Sequence, residues 1–151
     1  MPDGNITFRR QILRQRPNWD QASSPLTDVT IIDQGTIEDD AVGALQVDFA
    51  NKLIGGGVLG HGCVQEEIRF TICPELAVAR LFTAELQDNE CLVVIGAERY
   101  SAYSGYADTF QYTGDYVDKT PRYGAEVIHE QVNVDVKQRC KQKKTNTYCS
   151  D

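Results

Sequence analysis

No stretch of the chain approaches the roughly 18 to 20 apolar residues that a membrane-spanning helix needs. Its longest apolar run is Cys91 to Ile95. The first residues, Met-Pro-Asp-Gly-Asn, have neither a basic flank nor an apolar core, so no signal peptide is expected. Internal repeats are absent, which excludes a solenoid or propeller. The five cysteines (Cys63, Cys73, Cys91, Cys140, Cys149) are odd in number and lack the paired spacing of a metal site. Free thiols in a reducing compartment are therefore expected, rather than disulfides or zinc. Histidine is scarce too: His61 and His129 have no nearby cysteine or aspartate arrangement for nucleophilic catalysis, and both read as bystanders.

Basic residues are also in short supply. Up to Val136 there are 10 basic and 21 acidic residues, whereas 5 basic and 1 acidic follow from Lys137 onward. An acidic body is a poor general binder of nucleic acid, because neutralising phosphates needs Lys and Arg. Were the ligand to carry phosphates, backbone amides would do most of the holding. The 151 residues allow one domain or a large piece of one. An apolar share of 41% and a charged share of 25% are those of a water-soluble globular protein.

Along the chain, residues 1–28 read as a polar lead-in with a short helix around Phe8 to Arg16, interrupted by Asn18, Ser23, Ser24 and Pro25. Val29 to Ile32 is a β-branched run that predicts a strand, and Ala44 to Asp48 predicts a second. Val64, Ile68 and Ile72, spaced by four, predict a short buried helix with Glu66 and Glu67 in its first turn. Pro74 suits the first position of a following helix, whose apolar side would be Leu76, Ala77, Leu81 and Phe82, ending near Leu86. Cys91 to Ile95 predicts the clearest buried strand, and Phe110 with Tyr112 a further one. Alternation at Val132, Val134 and Val136 suggests an edge strand. The basic tail 137–151 has almost nothing to bury and is expected to be disordered. Strand, helix, helix, strand at these lengths argues an α/β layered domain with a partly parallel sheet.

The chemistry concentrates between Leu45 and Phe70. Gly55, Gly56, Gly57, Gly60 and Gly62 leave the backbone bare, so that its N–H groups can approach an anion closely. A helix start follows at once, adding a partial positive end. Bland readings stand beside this one. The loop could be a packing turn, Glu66 and Glu67 plain helix-start acids, and Asp48 with Asn51 a turn and a helix cap. It is not a Walker loop, since no Lys-Ser/Thr follows, and the dinucleotide fingerprint fits it poorly. Tyr100, Tyr103 and Tyr106 recur at every third residue and could form one packed loop face.

The ordered set of motifs nevertheless resembles one family. Gly-Gly-Gly, the spacer Val58 to Val64, then Gln65-Glu66-Glu67 is similar to the signature of poly(ADP-ribose) glycohydrolases. The flanking Val47-Asp48-Phe49-Ala50-Asn51, Ile68-Arg69-Phe70, Pro74-Glu75-Leu76, Asn89-Glu90-Cys91-Leu92 and Tyr103-Ser104-Gly105-Tyr106 extend the likeness over about residues 5–112. The resemblance implies a partial macrodomain-like three-layer α/β/α fold with a mixed sheet over residues 29–136. It implies hydrolysis of ribose–ribose O-glycosidic bonds in poly(ADP-ribose), with Glu67 as catalytic acid and base. Glu66 would hold ribose hydroxyls, and Asp48 would be a third acidic active-site residue. Asn51 and Gln65 would bind substrate, Gly55, Gly56 and Gly57 would face the diphosphate, Ile37 and Glu38 would contact adenine, and Tyr106 would close over the ligand. No cofactor and no metal are implied. The implied partners are poly(ADP-ribose) or ADP-ribose and, indirectly, ADP-ribosylated proteins in the nucleus or cytoplasm, with no membrane and no sequence-specific nucleic acid. A non-catalytic ADP-ribose-binding module, or an inactive truncated form, is the alternative.

Helix geometry supports a division of labour between the glutamates. Consecutive helix residues point about 100° apart, so Glu66 and Glu67 do not flank one bond as a glycosidase pair does. One must act as acid and then base while the other binds. Family members are expected to carry a second glycine-rich phosphate loop, whereas here Gly114 and Gly124 stand isolated. The fold is therefore expected to be incomplete at the C-terminal side.

Overall fold

The computed structural model describes residues 4–41, 44–118 and, as backbone alone, 130–134. A four-stranded mixed sheet forms the frame, in the order β1 (Thr7–Ile12), β3 (Glu90–Ile95), β6 (Glu130–Val134), β2 (Gln46–Phe49). β3 runs antiparallel to both neighbours, while β2 and β6 run parallel. A second, two-stranded sheet pairs β4 (Ser101–Ser104) with β5 (Gln111–Asp115). Two α-helices, α1 (Ile37–Asp40) and α2 (Gln65–Ile72), and a 3-10 helix, Pro74–Leu81, complete the elements nearest the site.

The core is built around β3 and α2. Leu92 and Val94 of β3 meet Phe70, Ile72, Cys73, Leu76 and Ala79, with Ile54, Leu86 and Ala97 closing the cluster. Burying large side chains of this kind gives about 1.5–3 kcal/mol each, and this cluster holds α2 and the following 3-10 helix against β3. Glu75 ties the next turn down: it accepts hydrogen bonds from the Glu98 amide at 2.9 Å and the Tyr100 hydroxyl at 3.0 Å.

Several expectations are corrected. Phe8 to Arg16 is no helix; Thr7–Ile12 is a strand, paired residue for residue from Thr7↔Ile95 to Ile12↔Glu90. A buried neighbour with an open edge outweighs local helix preference, and Phe8 packs on the core with its ring 5.1 Å from Phe82. Conversely, Val29 to Ile32 forms no strand, with Val29, Ile31 and Ile32 exposed; a β-branched run needs a partner strand, and none adjoins it among the described residues. The second helix is 3-10 rather than α. Its three-residue repeat buries Leu76 and Ala79 and leaves Leu81 85% exposed, so the expected apolar side does not form. Finally, the strand holding Val132 and Val134 is interior, paired on both sides. Valine alternation reports a pleat, whereas the flanking partners come from distant chain. Val136, the tail 137–151, Gly124, His129, Cys140 and Cys149 lie outside the described residues. Cys63, Cys73 and Cys91 form no disulfide among the described residues.

Candidate active site

A cavity opens where α1, β2, the first turn of α2 and the β4–β5 sheet meet. Ile37, Glu38, Asp48, Gln65 and Tyr106, all expected from the sequence, line it. Gln46, Arg69 and Tyr103 complete its polar lining. The α1 side is pinned to β4. Tyr103 donates its hydroxyl to Glu38, and Arg99 pairs with Asp39 at 2.6 Å. The guanidinium of Arg99 also lies 4.2 Å from the Tyr116 ring centroid and 5.8 Å from that of Tyr103. Burial, then the hydrogen bond to Glu38, raise the Tyr103 phenol well above the usual tyrosine range, so it stays a donor.

Gln65 locks helix to strand. Its side chain accepts from the Phe49 amide at 2.8 Å and donates to the Val47 carbonyl at 2.9 Å, filling a place on β2 where another strand would bond. Its own amide, one of the orphans at a helix start, donates to the Tyr106 hydroxyl at 3.1 Å. That bond keeps Tyr106, 53% exposed, over the mouth of the cavity.

Beside the cavity the glycine loop wraps the two glutamates. Glu66 accepts from the amides of Gly55 at 2.7 Å and Asn51 at 2.8 Å. Glu67 accepts from Gly57 at 2.8 Å and Val64 at 3.0 Å. The Gly56 amide donates to the Leu53 carbonyl at 3.0 Å. Of the three glycines expected to face a diphosphate, Gly55 and Gly57 direct their amides to the glutamates and Gly56 directs its own to Leu53. The glycines matter for clearance. Gly56 has φ +48°, and a Cβ there would stand 2.5 Å from Oε1 of Glu67 and 2.7 Å from Oε2 of Glu66. The Asn51 side chain closes a local turn onto the Leu53 amide at 3.0 Å, as in its bland reading, while its backbone serves Glu66.

Three buried carboxylates therefore gather at one point: Asp48 at 4% exposed, Glu66 at 4% and Glu67 at 8%. Burial, and next the charge of Glu66, push Asp48 up to about 7 against the pull of Arg69. Burial likewise pushes Glu66 up to about 7, despite its two amide donors. Burial also acts on Glu67, yet the Gly57 and Val64 amides outweigh it and hold the carboxyl below its ordinary value. Among the described residues, neither oxygen of Asp48 has a hydrogen-bond partner. A buried acceptor left unpaired is costly, and Asp48 is also one of the residues that line the cavity.

A family model described as "Poly (ADP-ribose) glycohydrolase (PARG), Macro domain fold" matches residues 16–151. The chain belongs to the poly(ADP-ribose) glycohydrolase family. It is 46% identical over 121 residues to poly(ADP-ribose) glycohydrolase 1 of Arabidopsis thaliana, covering 79% of this chain and 22% of that one. It is 40% identical over 129 residues to poly(ADP-ribose) glycohydrolase 2 of Caenorhabditis elegans, covering 83% and 26% respectively. Probable poly(ADP-ribose) glycohydrolase 2 of Arabidopsis thaliana is also 40% identical over 129 residues. The chain spans about a quarter of the length of these relatives. The macro domain fold of the glycohydrolase family agrees with the mixed sheet and the α/β composition.

Within this glycohydrolase-family site, sequence reasoning missed Tyr103 as the holder of Glu38, Arg69 as the cation beside Asp48, and Arg80. Arg69 sits two residues beyond the glutamates on the same short helix, a signal that was available. The three tyrosines do not form one face. Tyr100 bonds Glu75 away from the cavity, and Tyr103 and Tyr106 line it from separate positions.

Proposed function

We propose that this chain carries the hydrolytic centre of a poly(ADP-ribose) glycohydrolase, cutting ribose–ribose O-glycosidic bonds to release ADP-ribose. The observation that carries the reading is the convergence of Asp48, Glu66 and Glu67, buried together beside the glycine loop, with Asp48 also lining the cavity. Glu67 serves as acid and then base. It protonates the leaving 2′-oxygen, the C1–O bond breaks to an oxocarbenium-like state, and Glu67 then takes a proton from the attacking water. Such proton transfer is worth about 10²- to 10⁴-fold, roughly 3 to 5 kcal/mol of barrier. Without ligand Glu67 is ionised, which suits the base half and the stabilisation of a cation. Asp48 and Glu66 are both pushed up to about 7, so a proton can be held beside Glu67 at neutral pH. An arriving diphosphate raises the proton affinity of Glu67 and competes for the Gly57 amide, which moves that proton onto the acid.

Glu66 orients the ribose, and the unpaired oxygens of Asp48 accept hydroxyl or amine donors from the ligand. Ile37 and Glu38 receive the adenine, and Tyr106 covers it. The helices are proposed to lie on both faces of the sheet, as in a three-layer macrodomain. Its partners would be poly(ADP-ribose) and the proteins that bear it. Free cysteines suit the reducing nucleus or cytoplasm.

A second reading, an ADP-ribose-binding module without turnover, draws on the amides of Gly55 and Gly57 being held by the glutamates. Calorimetry with ADP-ribose, run beside a polymer-release assay, separates the two. The glycohydrolase reading expects release by the wild type, and by Glu67→Gln binding without release. Undiminished release by Glu67→Gln sinks the assignment of Glu67, and wild-type binding with no release supports the module.

A further inference from the structure

Arg80 belongs to the 3-10 helix, whose sequence attracted notice only for its apolar residues. Its guanidinium reaches back to the loop, with Nη1 donating to the Gly56 carbonyl at 3.2 Å. A Cβ on Gly55 would stand 3.2 Å from the same nitrogen, so the group lies against the loop backbone.

The carbonyl of Gly56 and the amide of Gly57 are the two ends of one peptide unit. No peptide bond here is cis, so those ends point in opposite directions. Arg80 holds the carbonyl end and Glu67 Oε1 accepts from the amide end at 2.8 Å. A cation bonded to the oxygen polarises the unit and strengthens the N–H as a donor. Two residues back on the same loop, the Gly55 amide donates to Glu66 Oε1 at 2.7 Å, and the Arg80 guanidinium lies against that glycine.

We propose that Arg80 is a positioning residue for both glutamates, acting on Glu67 through the Gly56–Gly57 peptide and on Glu66 through its charge. Its catalytic importance rests on the function proposed above, but its action on the carboxylates does not. The groups that face Glu66 are few. Asp48 comes from β2, Glu67 from its own helix, and Arg80 from the 3-10 helix, while the Asn51 and Gly55 amides bond it directly. Arg69 acts on Asp48. Arg80 is accordingly the cation whose removal Glu66 feels.

The test is a ¹³C NMR titration of the side-chain carboxyls in the ligand-free 151-residue chain, with thermal melts alongside. Arg80→Gln keeps a donor for Gly56 and removes the charge. We expect the Glu66 midpoint to rise by about one unit, a tenfold gain in proton affinity, with Arg80→Lys within about twofold of wild type. A folded Arg80→Gln with unchanged midpoints overturns the proposal. So does a chain that no longer folds with glutamine there, since Arg80 would then belong to the frame of the fold. No substrate enters this measurement, so failure of the glycohydrolase reading shows separately, as absent polymer release by the wild type.

Discussion

A methyl group on Gly56 would stand 2.5 Å from Oε1 of Glu67, closer than any relaxed contact. Gly56→Ala must therefore displace the carboxylates and also hold alanine at φ +48°. We expect a loss of roughly 1–3 kcal/mol in stability and, on the proposed function, of polymer hydrolysis by more than about tenfold, because groups displaced from their reacting geometry lose rate steeply. Gly60→Ala is the control. Its nearest atom would be the Gly57 carbonyl oxygen at 3.5 Å, an ordinary contact, and its melting curve should overlay the wild type.

Asp48 makes stability depend on pH in an unusual direction. Its carboxyl titrates near 7 in the fold and near 3.8 without it. Between those values the folded state holds more protons than the unfolded one, so unfolding free energy falls as pH rises and levels off above 7. Glu66 adds to the same slope, and Glu67, shifted the other way, acts only at lower pH. Asp48→Asn removes the ionisation and should gain on the wild type by on the order of 2 kcal/mol between pH 5 and pH 8. Parallel melting temperatures across that range would show that Asp48 is already ionised in the fold at pH 5, so that burial does not raise its carboxyl.

Tyr103→Phe removes the donor that holds Glu38 while keeping a ring 5.5 Å from Phe110. The lost charge-assisted bond should cost about 1–2 kcal/mol in thermal unfolding. The freed carboxylate should also weaken ADP-ribose binding in calorimetry, with hydrolysis at saturating polymer little changed. An affinity equal to wild type would mean that Glu38 does not face the ligand.

Phe70 is 2% exposed and its ring edge lies 2.9 Å from where a Gly55 Cβ would be, so it is the floor of the glycine loop. Phe70→Ala should cost about 3–5 kcal/mol. Phe49→Ala, at a site 69% exposed, should stay within about 0.5 kcal/mol. Denaturant midpoints for the pair would expose any error in this placement of the core.

Elements that make their own contacts were legible in the chain. Helix α2 announced itself through Ile68 and Ile72, and β3 through a continuous apolar run, because both bury their side chains against whatever adjoins them. Elements that depend on a distant partner were not. Thr7–Ile12 is a strand because β3 offers it an edge, and Val29 to Ile32 is not one because nothing does.

At the site the division is similar. The sequence alone determined which groups are present: an adjacent glutamate pair after a glycine loop, an aspartate on the preceding strand, and a family-specific order that ties them together. Only the tertiary structure decided their state. Glu66 and Glu67 are neighbours in the chain and equally acidic as free side chains, yet one is pushed up to about 7 and the other held down. Proton affinity follows from burial and from the hydrogen-bond donors that converge on each carboxylate. Those donors come from residues brought together by folding, among them Asn51, Gly55 and Gly57, while Arg80 stands behind the loop on the Gly56 carbonyl.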